Sequence, residues 1–165
     1  LAVIRPSLIL PGANRTISEM LAELVSDEPP LTVVENPQAE LGDLKMLAAE
    51  DHFISQKILD LLLRRLGIQA TWVTNGAEAV HEAERGDFDV ILLDLQMPVM
   101  DGLEASRKIR ALRTGGKRPH IFAISAGSSA ANVEAAREAG MDGYLDKATP
   151  LEDLRQALLP LTKKA

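Results

Sequence analysis

Apolar and polar positions follow two rhythms along most of the chain: short apolar runs of strand length, and longer segments with helical spacing between them. Lys45 to Ala49 is the first run. Phe53 to Leu66 then places Ile54, Ile58, Leu61, Leu62 and Leu66 at the spacing of an amphipathic helix, with Gly67 as its stop. Gln69 to Val73 predicts a second strand and Ala77 to Glu84 a helix ended by Gly86. Val90 to Leu93 is an unbroken apolar run of the kind that suits a strand buried on both faces. The unit repeats with a helix over Leu103 to Leu112, a strand over His120 to Ile124, an alanine-rich helix over Ser129 to Ala139 stopped by Gly140, and a short strand over Gly143 to Leu145. Thr149-Pro-Leu-Glu152 predicts the opening of a final helix, with Thr149 as N-cap, Pro150 at the first helical position and Glu152 three residues after the cap. Five strands alternating with five helices imply an α/β fold, a parallel sheet covered on both faces, because parallel neighbours need crossover helices.

Composition narrows the function classes. With no cysteine in 165 residues, disulfide scaffolds and zinc-thiolate modules are excluded. A formal charge of -6 lacks the general footprint of a nucleic-acid binder, and no apolar run approaches the ~18 residues that span a bilayer. The chain starts at Leu1 without a charged segment leading into an apolar one, which reads as a piece of a longer cytoplasmic protein. Charge is uneven: residues 1–44 hold two basic and seven acidic side chains, whereas residues 45–165 hold 16 and 17. The expected division is therefore a segment 1–44, a domain 45–162 and a tail 163–165. Ser7 to Leu10, Asn14 to Val25 and Leu31 to Val34 would suit strand, helix and strand of a partial, degenerate neighbouring domain. Asp27-Glu-Pro-Pro30 and Glu35-Asn-Pro37 suit an interdomain linker.

In a sheet of this kind, chemistry sits at the carboxyl ends of the strands. Those ends carry Glu50-Asp51 on the first strand, Asp94 on the third, Ser125 on the fourth and Lys147 on the fifth. Crowded carboxylates raise one another's pKa unless a cation offsets the repulsion, and an all-oxygen set suits a hard ion such as Mg²⁺. A carboxylate beside Mg²⁺, with a lysine and a hydroxyl aimed at the same point, is equipped to attack a phosphoryl group and then hold its oxygens.

Glu50-Asp51, Leu92-Leu-Asp-Leu-Gln-Met-Pro-Val-Met-Asp-Gly102, Ser125-Ala126 and Gly140-Met-Asp-Gly-Tyr-Leu-Asp-Lys147 together resemble the receiver domain of two-component response regulators, over roughly residues 45–162. Glu50-Asp-His-Phe-Ile-Ser-Gln56 resembles most the receivers attached to hybrid histidine kinases. The resemblance implies a flavodoxin-like, doubly wound five-stranded sheet and a module that catalyses its own phosphorylation. Its partner would be a histidine kinase or a histidine phosphotransfer protein. Asp94 would accept the phosphoryl group. Asp51, Asp94 and the backbone carbonyl of Gln96 would bind Mg²⁺, with Glu50 acting through water. Lys147 and Ser125 would hold phosphoryl oxygens, and Ser125 and Tyr144 would form the switch that alters the face of the fourth helix, fifth strand and fifth helix. One departure concerns the lysine, which the family usually follows with a cis proline. Here the sequence is Lys147-Ala148-Thr149-Pro150. A cis bond before alanine costs roughly 2.5 to 4 kcal/mol, so either the bond is trans and the loop rebuilt, or unusual strain is retained.

Competing readings are weaker. A pseudo-receiver that only binds partners does not need the complete set of acids, hydroxyl and lysine. A haloacid-dehalogenase-like phosphatase needs an aspartate two residues after the nucleophile, and position 96 is Gln. His81-Glu82 lacks the continuation of a phosphorylated-histidine motif, His52 and His120 read as edge residues, and Arg107, Lys108, Arg110, Arg113, Lys117 and Arg118 read as a solvated basic face.

Overall fold

A computed structural model describes residues 41–112 and 117–162. The readings made for residues 1–40, for Arg113 and for the tail 163–165 lie outside them. The order of elements is β1 (Met46–Ala49), α1 (Phe53–Arg65), β2 (Ala70–Val73), α2 (Gly76–Arg85), β3 (Val90–Asp94), α3 (Gly102–Ala111), β4 (His120–Ser125), α4 (Ala130–Glu138), β5 (Gly143–Asp146) and α5 (Leu151–Leu158), closed by a 3₁₀ turn over Leu159–Leu161. The five strands pair in parallel in the order β2-β1-β3-β4-β5. Among the described residues, no helix is long and apolar enough to cross a membrane.

Strand alternation divides the core into two layers. Met46, Ala48, Val90, Leu92, Phe122 and Ile124 face α1 and α5, where Leu59, Leu63, Leu154 and Leu158 close over them. Leu47, Ala49, Ile91, Leu93, Ile121 and Ala123 face the other way, against Ala79 and Ala83 of α2, Ala105 and Ile109 of α3 and Ala136 of α4. The small residues of α2 and α3 allow those helices to lie close together. Every residue of β3 is buried, as its unbroken apolar run predicts. Leu41 and Leu44 join the first layer, so the packed body begins ahead of Lys45.

Two expectations need correction. The apolar stripe predicted for α1 mixes two faces: Leu59, Leu63 and the following Leu66 are buried, whereas Ile54, Ile58 and Leu61 point outward. Periodicity alone could not separate them, because the helix is apolar on both sides. The last helix begins one residue later than expected. Pro150, not Thr149, holds the N-cap position, and no side chain caps the helix there. The Thr149 amide instead donates to the Asp146 carbonyl, so the chain is still completing the turn after β5. Leu154 N–H to Pro150 O is then the first helical bond.

Candidate functional site

The chain steps from β1 outward to β2 and returns across β1 to reach β3, so the crevice between the carboxyl ends of β1 and β3 lies at the point where strand order reverses. Local structure delivers three carboxylates there. Glu50 and Asp51 leave β1 just before α1, and Asp94 is the last residue of β3. Carboxylate oxygens of the three lie within 4.8 Å of one another. Glu50 is 1% exposed and Asp94 4%, while Asp51 opens to solvent.

Buried carboxylates need partners. The Lys147 ammonium supplies one, donating to Glu50 Oε2 at 2.7 Å and to Asp94 Oδ2 at 2.9 Å. Glu50 Oε1 accepts the His52 amide at 3.0 Å, and Asp94 Oδ1 accepts the Gln96 amide at 3.1 Å. Burial pushes the Glu50 carboxyl above its ordinary range, and the hydrogen bonds from Lys147 and the His52 amide only partly offset it. Burial also works against the Lys147 charge, but the bonds to Glu50 and Asp94 outweigh it and hold the ammonium above the usual lysine range. Three carboxylates against one ammonium leave a formal charge of -2 when all are ionised. Oxygen donors at this spacing, carrying that charge, fit a hard divalent cation.

Lys147 reaches this position with no cis peptide bond among the described residues. Asp146 organises the loop instead: its Oδ1 accepts the Ala148 amide and its backbone carbonyl the Thr149 amide, both at 2.9 Å. Such a carboxylate-to-backbone turn does locally what a fixed proline does elsewhere. The Lys147 amide donates to the Ser125 carbonyl, tying the ends of β4 and β5 together.

Asp51, Asp94, Gln96, Ser125 and Lys147 all line one open cleft of about 920 Å³. Glu50 lies beneath it, in a small pocket shared with Lys147, Ile58 and Leu59. Tyr144 stands apart from the cleft, half-buried, and its hydroxyl donates to the Gly127 carbonyl at 2.9 Å. His52 is more than an edge residue. It is the N-cap of α1, its Nδ1 facing the Ser55 amide at 3.4 Å, and it lines the cleft. Asn132 lines it too, and nothing in its sequence surroundings marks it. Asp101 caps α3 by accepting the Glu104 amide at 2.8 Å while also lining the cleft. The expected basic face is also mixed. Arg107 and Arg118 are exposed and Lys108 pairs with Glu104, but Arg110 is part-buried, donating to the Gly140 and Pro119 carbonyls and to Asp142, while Lys117 pairs with buried Asp89.

Residues 46–159 match the family model described as the response regulator receiver domain. Hybrid signal transduction histidine kinase G of Dictyostelium discoideum is 39% identical over 118 residues, covering 70% of this chain but 3% of that protein. The chain spans 3 to 10% of the length of the four hybrid kinases of that organism to which it is similar. Among solved structures, the receiver domain of sensor histidine kinase PA1611 from Pseudomonas aeruginosa PAO1, which has a magnesium ion coordinated in its active site cleft, is 36% identical with a TM-score of 0.66, covering 72% of this chain and 96% of that one. The co-crystal structure of the Saccharomyces cerevisiae histidine phosphotransfer protein Ypd1 and the receiver domain of its response regulator Ssk1 matches at 30% identity and a TM-score of 0.65, covering 72% and 88%. With strand order, acidic crevice and matched span in agreement, this chain belongs to the response regulator receiver domains of two-component signalling.

Proposed function

We propose that this receiver accepts a phosphoryl group from a phosphohistidine onto Asp94, with Mg²⁺, and that the modification switches a protein-interaction face. The observation that carries the reading is the convergence on buried Asp94 of the Lys147 ammonium at 2.9 Å and of the Glu50 and Asp51 carboxylates. Asp94 Oδ would attack the phosphorus in line with the departing imidazole. The P–N bond breaks, its electron pair stays on the imidazole nitrogen, which takes up a proton, and an acyl phosphate forms on Asp94.

Asp51, Asp94 and the Gln96 carbonyl would hold Mg²⁺, and Glu50 would act through water. The ion supplies charge neutralisation where phosphoryl oxygens approach the acidic crevice. Lys147 and Ser125 would each hold one phosphoryl oxygen by hydrogen bonds, charge-assisted in the lysine's case. Ser125 ends β4 and Tyr144 lies in β5, bonded to the loop after β4, so a shift of that loop toward the phosphoryl group would reposition the ring. The partners fitting this chemistry are a histidine kinase or a histidine phosphotransfer protein, and the parent would be a hybrid histidine kinase.

Incubation with Mg²⁺ and acetyl phosphate tests the reading. One base-labile phosphoryl group is expected on the wild type and none on Asp94→Asn. Equal labelling of the two proteins would overturn the assignment, and no labelling of either would leave an interaction-only receiver.

A further inference from the structure

The loop from β5 to α5 carries Lys147, and the core does not hold its shape. Residues 146–150 are half-buried or exposed, none belongs to either core layer, and α5 opens at Pro150 without a side-chain cap. Hydrogen bonds fix the loop instead. The Lys147 amide donates to the Ser125 carbonyl, the Ala148 amide to Asp146 Oδ1 and the Thr149 amide to the Asp146 carbonyl, each at 2.9 Å. Two of the three converge on Asp146, which also stands opposite Ser125 in the register of β4 and β5.

The shape of this loop matters because of the side chain it carries. Lysine is a compact charge on a flexible four-carbon stem, so its aim depends on where the backbone is anchored and on what attracts the ammonium. Before the reaction two carboxylates attract it, Glu50 at 2.7 Å and Asp94 at 2.9 Å. Once Asp94 carries a phosphoryl group it is no longer a free carboxylate, and the ammonium has to meet the new oxygens instead. Its position then depends on Glu50 and on the backbone of residue 147. That backbone lies inside the turn that Asp146 opens and Thr149 closes. Alanine at 148 is part of the device, because it keeps an N–H that a proline would lack, and an aspartate two residues earlier is placed to accept it.

We propose that Asp146 is a positioning residue for phosphoryl transfer at Asp94: paired with the Ala148 amide, it forms the turn that aims Lys147 at the phosphoryl oxygens. Asp146 is not among the residues lining the cleft, so it acts through Lys147 alone. The inference rests on the phosphoacceptor reading and adds the residue that aims its cation.

The test measures initial labelling rates of the full chain with acetyl phosphate and Mg²⁺. Asp146→Ala should slow labelling by about tenfold or more, within the roughly 10²-fold that a 1 Å misplacement can cost. Asp146→Asn, whose side-chain oxygen accepts the same amide, should stay within about twofold of the wild type. Asp146 lies outside both core layers, so these variants remain folded. Two further backgrounds separate aiming from a general loosening of the chain. Lys147→Met has no ammonium to aim, and Ala148→Pro has no amide at 148 to hold, so adding Asp146→Ala to either should change its rate by less than about twofold. Wild-type labelling of Asp146→Ala would overturn the proposal. So would an Asp146→Asn as slow as the alanine variant, or a full Asp146→Ala loss that persists in the Lys147→Met background. No labelling of the wild type would strike the phosphoacceptor reading itself, and this inference with it.

Discussion

Asp94 can serve as a reaction centre only while its backbone stays in place, and at this scale one glycine matters more than its size suggests. A Cβ at Gly102 would press on the backbone carbonyl of Asp94, which cannot yield as a flexible side chain can. Gly102→Ala is therefore expected to keep the fold but slow acetyl phosphate labelling by about 10²-fold, the scale of a 1 Å misplacement, as read by initial labelling rates. Lys147 acts differently, through charge. Lys147→Met should retain partial labelling yet lose the coupling between phosphorylation and the fourth helix and fifth strand, because an anionic phosphoryl oxygen loses its charge-assisted partner. Amide NMR shifts of Ser125 and Tyr144 check this: wild-type shift changes in the variant would refute the coupling role.

Between elements, α1 divides along a single helix into a face that packs in the core and a face that does not. Leu63 is fully buried among β1, β3 and the last helix, whereas Ile58, five residues earlier, is more than half exposed. Leu63→Ala should cost about 2 to 5 kcal/mol, through lost transfer energy and the cavity left behind. Ile58→Ala should fall within about 0.5 kcal/mol of the wild type. Urea midpoints at constant slope measure both. Comparable losses from the two substitutions would mean that the outward stripe is packed after all.

For the molecule as a whole, the site imposes a charge problem that the sheet cannot solve alone. Hydrogen bonds from Lys147 and two backbone amides satisfy the buried carboxylates Glu50 and Asp94, yet three acids still share one ammonium. A divalent cation that binds the folded chain should raise the thermal midpoint, by an amount equivalent to about 2.7 kcal/mol at a hundredfold excess over its dissociation constant. Asp51→Ala should abolish most of that rise without lowering the metal-free midpoint, because removing a like charge relieves repulsion. A Mg²⁺-dependent rise preserved in Asp51→Ala would count against this cation site.

Much of this architecture was legible in the chain because its signals are local. The unbroken run Val90 to Leu93 marks a strand buried on both faces, and helices recurring between strands imply parallel pairing whatever the tertiary detail. Acids, hydroxyl and lysine at strand ends can be placed near one another from that topology alone. Contacts set by packing were not legible. Sequence spacing could not tell which stripe of α1 faces the sheet, since Leu59 and Leu63 are no more apolar than Ile58 and Leu61. It could not show that Arg110 leaves the basic face to hold the turn at Gly140 and Asp142, 30 and 32 residues away. The aim of Lys147 was open for the same reason. Its family proline is missing, and only the fold shows Asp146 shaping the loop while Glu50 and Asp94 draw the ammonium inward. Periodicity reports what each segment prefers; which of two apolar faces is buried, and which cation meets which carboxylate, depends on neighbours that come close only when the sheet has formed.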